Sequence, residues 1–185
     1  MDVERLEHGY SNGTRITEGV VEKRHLGPAR HAAAQHEAGL LEGLADLLPV
    51  PRVLAYEPTE PLLSLELLEG VNGQALIERH LEAGVLRACG SFLRRLGTVD
   101  TGRLSRLSGE GSCLVHGDYG PQNLLLAADA TEVLGIVDWE WARRGDPLED
   151  LSWAEWIIRY HHPDSSAAVG ALFDGYGQKP PWRDR

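Results

Sequence analysis

The stretch LVHGDYGPQNLLL, residues 114–126, places a histidine, an aspartate and an asparagine between two short apolar runs. Side chains of Asp and Asn readily bond nearby backbone N–H groups, so these residues could simply stabilise a loop. The other interpretation is that His116, Asp118 and Asn123 lie together because a reaction uses them. The sequence around the stretch distinguishes a structural loop from a reactive one.

Apolar residues on both sides of a polar turn predict a β-hairpin directly after this stretch. With the turn centred between Ala130 and Thr131, Asn123 lies opposite Asp138, and facing Cα atoms in an antiparallel pair are about 5 Å apart. An amide oxygen and a carboxylate at that separation suit Mg²⁺, which takes few protein ligands and completes its shell with water and phosphate oxygens. Asp118 would then lie beside the metal, where a base for an attacking hydroxyl belongs.

The composition is that of an ordinary globular protein. The chain has 185 residues, of which 42% are hydrophobic and 25% charged, and this excludes a disordered or fibrous protein. The start lacks a signal-peptide pattern and no long apolar run occurs, so we predict a soluble, cytoplasmic protein without a membrane partner. Cys89 and Cys113 have neither metal-ligand spacing nor a disulfide framework and are expected to be reduced thiols.

The formal net charge of −10 argues against a nucleic-acid partner, because phosphate backbones are bound by an excess of Lys and Arg. An acidic surface suits a cationic or metal-bridged ligand, although it also keeps a small protein in solution. Among the 18 basic residues, only Lys23 and Lys179 are lysines. Lys179 lies in a tail rich in Pro and Gly, whereas Lys23 lies in a strand-like run and requires a more specific explanation.

The amino-terminal part of the chain has the pattern of a small antiparallel sheet. Residues 3–26 predict three short strands with connections at 9–13 and 18–19. A proline followed by alanines and leucines predicts a helix over about 28–44. Two further strands are expected before Gly70.

The remainder has helical periodicity. From Leu76, apolar residues recur every three or four positions and predict one long helix that ends near Leu96. Residues 150–162 and 165–176 predict two closing helices. We therefore expect an α+β fold, with a sheet-rich lobe that carries one helix and a reduced, mainly helical second lobe.

Several side chains allow a structural and a functional interpretation. Trp153, Trp156 and Tyr160 recur at helical spacing, which favours core packing over stacking on a substrate ring. The adjacent rings of His161 and His162 diverge on a helix, so a surface role is favoured over metal binding. Both interpretations stay open for two acidic and two basic residues: Glu140, Glu155, Arg143 and Arg144.

Three motifs together resemble the aminoglycoside phosphotransferase and choline kinase family. They are HGDYGPQN at 116–123, IVDWE at 136–140 and RRGDPLEDLSW at 143–153. The resemblance implies a bilobal protein-kinase-like fold, with a nucleotide-binding lobe at 1–70 and a catalytic and substrate lobe at 71–185. It further implies Asp118 as the catalytic aspartate, Asn123 and Asp138 as Mg²⁺ ligands, and His116 as a residue that organises the loop. The residues implied to support that loop are Gly145, Asp146, Pro147 and Asp150.

The resemblance also assigns residues of the first lobe to nucleotide binding. Lys23, on the third strand, would hold the phosphates and pair with Glu37 on the following helix. The turn HGYSNGT resembles the segment that covers the phosphates in the family. The remaining nucleotide-binding residues implied are Ser11, Asn12 and Gly13 in that turn, and the backbone groups of Glu66 and Leu68 near the adenine.

The function implied is transfer of the γ-phosphoryl group of ATP or GTP to a hydroxyl of a small molecule, with Mg²⁺ as cofactor. An acceptor that is also cationic, like an aminoglycoside or an amino alcohol, agrees with the acidic composition. The alternative is a nucleotide-binding pseudokinase module without acceptor turnover. The sequence contains no G-x-x-x-x-G-K-[ST]. Its G-x-S-x-G match at 9–13 lies in a predicted turn between strands and not at the strand-to-helix turn of a nucleophile elbow, so no hydrolase is predicted. No oligomeric state is predicted.

Overall fold

The amino-terminal part of the chain forms a five-stranded antiparallel sheet with a helix packed against it. The computed structural model describes residues 4–5 and 12–184. The strand order is β1-β2-β3-β5-β4, and all neighbours are antiparallel. The elements are β1 (Glu4–Arg5), β2 (Asn12–Thr17), β3 (Val20–His25), α1 (Arg30–Leu44), β4 (Val53–Glu57) and β5 (Leu62–Glu66).

The turn between β2 and β3 helps to set which side chains of β3 are buried. The connection has two residues, Glu18 and Gly19, and both have positive φ. Such a turn matches the right-handed twist of the strands that it joins. Alternation along β3 then buries Lys23 and His25 on the face that meets α1.

The rest of the chain is mainly helical and contains two small antiparallel sheets. One has the order β6-β8-β9, and the other pairs β10 with β7. The predicted α+β fold class is confirmed, whereas the lobe boundary near residue 70 stays a prediction. The elements are β6 (Val71–Asn72), α2 (Gly73–Ile77), α3 (Glu82–Leu96), β7 (Cys113–Val115), β8 (Leu124–Leu126), β9 (Val133–Ile136), β10 (Arg143–Gly145), α4 (Leu148–His161) and α5 (Val169–Tyr176).

The single long helix predicted after Leu76 is wrong, because α2 and α3 occupy this segment. Between them His80 has a φ of 64°, a left-handed conformation that interrupts an α-helix. The N–H of Leu81 then returns to the carbonyl of Leu76 at 3.1 Å. The apolar spacing continues across the break, so periodicity alone did not reveal it.

In the part of the chain that the structure describes, no helix is both long enough and apolar enough to cross a bilayer.

Helices α3 and α5 cross at two glycines. A β-carbon built on Gly90 would lie 2.0 Å from the carbonyl oxygen of Leu172. One built on Gly175 would lie 2.0 Å from the carbonyl oxygen of Arg87. Both separations are far inside van der Waals contact, so only glycine lets the two backbones approach this closely. The crossing holds the short helix α5 against the core of the helical part.

The β8–β9 hairpin is present, but its register differs from the predicted one. A bulge between Leu125 and Leu126 shifts the pairing near the turn by one residue. The N–H of Val137 donates to the carbonyl of Asn123 at 3.0 Å. Asn123 therefore lies opposite Val137, and Asp138 follows as the next residue along the chain. The prediction that Asn123 faces Asp138 directly is wrong.

Both cysteines are free thiols, as the sequence predicts. Cys89 is fully buried on α3, and burial raises the pKa of its thiol to about 12. A thiol that stays protonated is a poor nucleophile and metal ligand. Cys89 therefore acts as an apolar core residue, and its backbone carbonyl accepts a hydrogen bond from the Tyr119 hydroxyl at 2.8 Å.

Candidate active site

The HGD motif forms a loop after β7, and its histidine anchors it. His116 is buried; its Nε2 donates to the carbonyl of Val137 at 3.0 Å, and its Nδ1 accepts the N–H of Asp118 at 3.3 Å. The two contacts together fit the neutral tautomer with its hydrogen on Nε2. The ring also packs on Trp139, with centroids 4.7 Å apart. His116 thus joins this loop to the segment after β9.

Asp150, at the start of α4, holds the same loop from another direction. Its buried carboxylate accepts the N–H of His116 at 2.7 Å and that of Gly117 at 2.9 Å. Burial raises the pKa of the Asp150 carboxyl, and the two backbone donors offset this only in part. Gly117 has a φ of 85°, and a β-carbon there would lie 2.6 Å from the carbonyl oxygen of Trp141. The loop therefore requires glycine at this position.

Both oxygens of the Asp118 carboxylate accept a hydrogen bond. The Nδ2 of Asn123 donates to Oδ2 at 3.0 Å and also to the Asp118 carbonyl at 2.8 Å. The indole N–H of Trp153, on α4, donates to Oδ1 at 2.9 Å. These contacts fix the orientation of a half-buried carboxylate. A carboxylate held in this way can take a proton from a hydroxyl group placed beside it.

A second cluster is centred on the carboxylate of Glu37, which is fully buried on α1. Its Oε1 accepts from Lys23 Nζ at 2.9 Å and from the N–H of Trp139 at 3.0 Å. Its Oε2 accepts from Lys23 Nζ at 2.7 Å and contacts His25 Nε2 at 2.7 Å. Lys23 Nζ also donates to Oδ1 of Asp138 at 2.6 Å. One buried ammonium therefore connects the sheet, α1 and Asp138, two residues after β9.

Burial and charge act in opposite directions on this pair. Burial alone would lower the pKa of the Lys23 ammonium and raise the pKa of the Glu37 carboxyl. The carboxylates of Glu37 and Asp138 outweigh burial and raise the pKa of Lys23 above its ordinary value. The Lys23 ammonium and the hydrogen bond from His25 lower the pKa of Glu37 to about 2. Both groups are therefore charged at neutral pH, and a charged lysine is the form that binds phosphate.

Asp138 and Asn123 supply the kind of oxygen atoms that Mg²⁺ prefers. Asp138 has a φ of 68°, which turns the chain sharply after β9, and its side chain is 30% exposed. A carboxylate and an amide are hard ligands and fit this ion. Among residues 4–5 and 12–184, no group of three or more His, Cys, Asp or Glu side chains could hold a metal. The pair therefore suits an ion whose shell is completed by oxygens of a ligand such as a phosphate.

The other predicted nucleotide-binding residues lie along the sheet and after it. Ser11 lies outside the described residues. Asn12 and Gly13 belong to β2 and pair with the end of β3, so the strand includes the end of the predicted turn. Glu66 is the last residue of β5, and Leu68 lies in the segment that follows it. Their contact with a nucleotide stays a prediction.

The prediction that the aromatic residues of α4 pack in the core is wrong. Trp153, Trp156 and Tyr160 are 40%, 44% and 68% exposed. The core side of the same helix carries other apolar residues, such as Ala154 and Ile158, which are almost completely buried. Two apolar stripes on one helix give the same periodicity, so the sequence did not show which one faces solvent. The hydrogen bond from Trp153 to Asp118 was also missed, because no local pattern links residues so far apart.

The sequence left a structural and a functional interpretation open for two arginines and two glutamates, and in the structure all four contact other groups of the protein. Arg143 pairs with Glu149, and Arg144 donates to two backbone carbonyls at 2.6 and 2.9 Å. The side chains of Glu140 and Glu155 are buried rather than at the surface. The arginines therefore brace the segment before α4, and the contacts that they make do not require a phosphate.

A sheet with a buried lysine–glutamate pair, joined to a helical part with an HGD loop, defines the protein-kinase-like class of folds. The streptomycin–ATP–APH(2")-IIa ternary complex has this fold, with a TM-score of 0.71, 13% identity, and coverage of 99% of this chain and 79% of that one. A macrolide 2'-phosphotransferase from Brachybacterium faecium gives a TM-score of 0.68 at 18% identity, over 96% of this chain and 78% of that one. Structural similarity at 13% and 18% sequence identity establishes the fold of this chain.

The sequence comparison supports the same class. Residues 104–185 match the family model APH, described as the Phosphotransferase enzyme family. Acyl-CoA dehydrogenase family member 10 of Mus musculus is 38% identical over 52 residues, a segment that spans 28% of this chain and 5% of that relative. The resemblance predicted from the motifs is confirmed: residues 104–185 carry the family pattern, and the chain has the fold of solved aminoglycoside phosphotransferases.

Proposed function

We propose that this protein transfers the γ-phosphoryl group of ATP or GTP to a hydroxyl of a small molecule. The observation that carries the proposal is the position of Lys23 Nζ, within 2.6–2.9 Å of carboxylate oxygens of Glu37 and Asp138. This contact joins a phosphate-binding cation to a candidate metal ligand across the two parts of the fold. The family pattern over residues 104–185 supports the same reaction class.

On this proposal, Lys23 holds the nucleotide phosphates and Glu37 positions Lys23. Asn123 and Asp138 would hold Mg²⁺, which neutralises charge on the phosphates when it is bound. Three groups, Lys23 Nζ, His25 Nε2 and the N–H of Trp139, make four contacts with the Glu37 carboxylate and fix this arrangement before any ligand arrives, so little reorganisation is needed on binding.

Asp118 is the proposed base. The acceptor hydroxyl oxygen attacks the γ-phosphorus, the bond from that phosphorus to the β–γ bridging oxygen breaks, and ADP or GDP leaves. The hydroxyl proton passes to the Asp118 carboxylate. The bonds from Asn123 and Trp153 keep this carboxylate oriented during the transfer.

The remaining nucleotide contacts are proposed from the motif positions. Ser11, Asn12 and Gly13 lie close to the phosphates, and backbone groups of Glu66 and Leu68 contact the base. Residues 1–70 then form the nucleotide lobe, residues 71–185 form the catalytic and substrate lobe, and the protein acts in the cytoplasm. The ATP in the APH(2")-IIa complex supports nucleotide binding by a protein of this fold.

The proposed acceptor is cationic. The net charge is −10, and residues 138–164 contain seven acidic residues and three arginines. A site of one sign raises the local concentration of ligands of the opposite sign, an effect of roughly tenfold or more on association that decreases with salt. Streptomycin in the APH(2")-IIa complex is a ligand of this kind.

The test is Mg²⁺-dependent release of ADP or GDP, with phosphate on the acceptor confirmed by mass spectrometry. The acceptor panel contains streptomycin, kanamycin, erythromycin and simple amino alcohols. We expect transfer to at least one acceptor, and we expect Asp118→Ala to abolish it while nucleotide binding stays within severalfold of the wild type. Nucleotide binding without transfer to any acceptor would favour the pseudokinase alternative. Near-normal turnover by Asp118→Ala would show that the proposed base is wrong.

A further inference from the structure

The solvent-facing side of α4 carries a row of stacked aromatic rings, Trp153, Trp156 and Tyr160, which we call the aromatic ladder. The rings of Trp153 and Trp156 lie 4.9 Å apart at 22°, and those of Trp156 and Tyr160 lie 5.0 Å apart at 9°. The ring of His161 lies perpendicular to those of Tyr160 and Trp156, with centroids 4.9 and 5.5 Å away. The ladder is an apolar strip about 10 Å long that stays 40–68% exposed.

The first ring of the aromatic ladder contacts the proposed catalytic base. Trp153 donates its indole N–H to Oδ1 of Asp118 at 2.9 Å, so the strip begins at the carboxylate and runs outward from it. A molecule whose hydroxyl lies at Asp118 therefore has the ladder beside it. Apolar and aromatic walls with a few polar groups at one end are the usual lining of small-molecule sites.

The size of the aromatic ladder favours a small molecule over a second copy of the chain. At about 150–250 Å² for a whole aromatic side chain, the three rings expose on the order of 300 Å². A stable protein interface buries roughly 800 Å² on each partner. Two copies, each with a formal charge of −10, would also repel each other.

We propose that the aromatic ladder is the acceptor-binding surface, and that the acceptor is a hydroxylated amine with an extended apolar face. The inference rests on the proposed function, because it takes Asp118 as the base. A compact molecule covered with hydroxyl and ammonium groups would lose hydration against the rings without gaining hydrogen bonds. An amine with an apolar face removes that face from water along the ladder, and its charge suits an acidic protein and aromatic rings.

The test measures acceptor binding separately from turnover. Erythromycin serves as a hydroxylated amine with a large apolar face, and kanamycin serves as a compact polar comparator. Isothermal titration gives the Kd of each for the wild type, for Trp156→Ala and for Tyr160→Ala. Trp182→Ala is the matched control, because Trp182 is 69% exposed and lies outside the ladder. Steady-state kinetics then give KM and kcat for any acceptor that is phosphorylated.

We expect erythromycin to bind the wild type more tightly than kanamycin does. Trp156→Ala should weaken erythromycin binding about tenfold, the loss expected for part of an aromatic contact, and should raise KM with little change in kcat. Trp182→Ala should match the wild type. Erythromycin binding that Trp156→Ala and Tyr160→Ala leave unchanged would overturn the proposal. So would a wild type that prefers kanamycin, or ladder variants that change only the oligomeric state in sedimentation.

The two proposals fail in different ways. If an acceptor is phosphorylated but the ladder variants handle it like the wild type, the ladder proposal is wrong and the proposed function stands. If nothing is phosphorylated, the proposed function is wrong, and the titration still decides whether the ladder binds an amine with an apolar face.

Discussion

The carboxylate of Glu37 accepts the backbone N–H of Trp139 at 3.0 Å, although the two residues lie 102 positions apart. Glu37 is on the helix that packs against the sheet, and Trp139 directly follows Asp138. The same carboxylate holds Lys23 and His25. The position of Lys23, which we propose binds phosphate, and that of the candidate metal ligand Asp138 are therefore set by one side chain.

The two lysines of the chain provide an internal comparison. Lys23→Met should weaken nucleotide binding at least about tenfold, because it removes a buried, charge-assisted donor to the phosphates. Lys179, near the carboxyl terminus, lies over the ring of Phe173 and far along the chain from this cluster. Lys179→Met should bind nucleotide like the wild type in isothermal titration. Equal losses in the two variants would contradict the assignment.

Stability should decrease in acid because of Glu37. Its pKa is lowered from 4.5 to about 2, so its contribution is fully present above pH 4.5 and is lost as the pH falls toward 2. At about 1.4 kcal/mol per pKa unit, the contribution is roughly 3 kcal/mol. Urea unfolding between pH 6 and pH 2 measures this contribution.

The matched variants for this experiment are Glu37→Gln and Glu57→Gln. Glu37→Gln should show a flatter decrease in unfolding free energy below pH 4.5. Hydrogen bonds from Thr59 also lower the pKa of Glu57, but this carboxylate is fully exposed, so Glu57→Gln should flatten the decrease much less than Glu37→Gln does. An unchanged slope in Glu37→Gln would show that the lysine–glutamate pair does not control acid stability.

The indole N–H of Trp153 should affect the chemical step. Trp153→Phe keeps an aromatic ring in the ladder and removes the hydrogen bond to Asp118. A hydrogen bond to a charged group contributes about 1.5–3 kcal/mol, so kcat should fall about tenfold or more while the nucleotide Kd stays the same. Steady-state kinetics measure both, with Trp182→Phe as the control. A change in KM alone would assign Trp153 to acceptor binding rather than to orientation of the base.

Alanine substitutions at two glycines with positive φ distinguish the effect of backbone strain from that of a steric clash. Gly19 and Gly117 have φ values of 81° and 85°, but a β-carbon on Gly19 meets nothing within 4 Å, whereas one on Gly117 lies 2.6 Å from the carbonyl oxygen of Trp141. Gly19→Ala should destabilise by about 1 kcal/mol, the strain of a left-handed alanine. Gly117→Ala should destabilise by at least about 2 kcal/mol and reduce turnover. Thermal unfolding of both variants measures the difference, and equal losses would show that the loop relaxes freely around residue 117.

The motif residues were predictable because their spacing is fixed by the chemistry they share. The sequence placed Lys23 on a strand and Glu37 on the next helix, and the structure pairs them within 3 Å. It also predicted the hairpin that carries Asp138. These features depend on local periodicity and on motifs, and both can be read from a single chain.

Features that depend on one backbone torsion or on tertiary packing were not predictable. The positive φ of His80 divides a helix whose apolar spacing continues, and a bulge near Leu126 shifts the strand register by one residue. The exposure of Trp156 depends on which stripe of α4 meets the core. The bond between Trp153 and Asp118 joins residues 35 positions apart and has no counterpart in any local pattern.

The crossing of α3 and α5 makes the effects of Gly90 and Gly175 depend on each other. Each glycine meets backbone atoms of the opposite helix rather than the other glycine, so replacing either one must push the helices apart. Once the helices have separated, the second position has room for a β-carbon. The first substitution should therefore lower the free energy of unfolding, and the second should change it little. This is antagonistic epistasis, because the double variant is then no less stable than the less stable of the two single variants. In evolution, such a pair is expected to persist as two glycines or to be lost together.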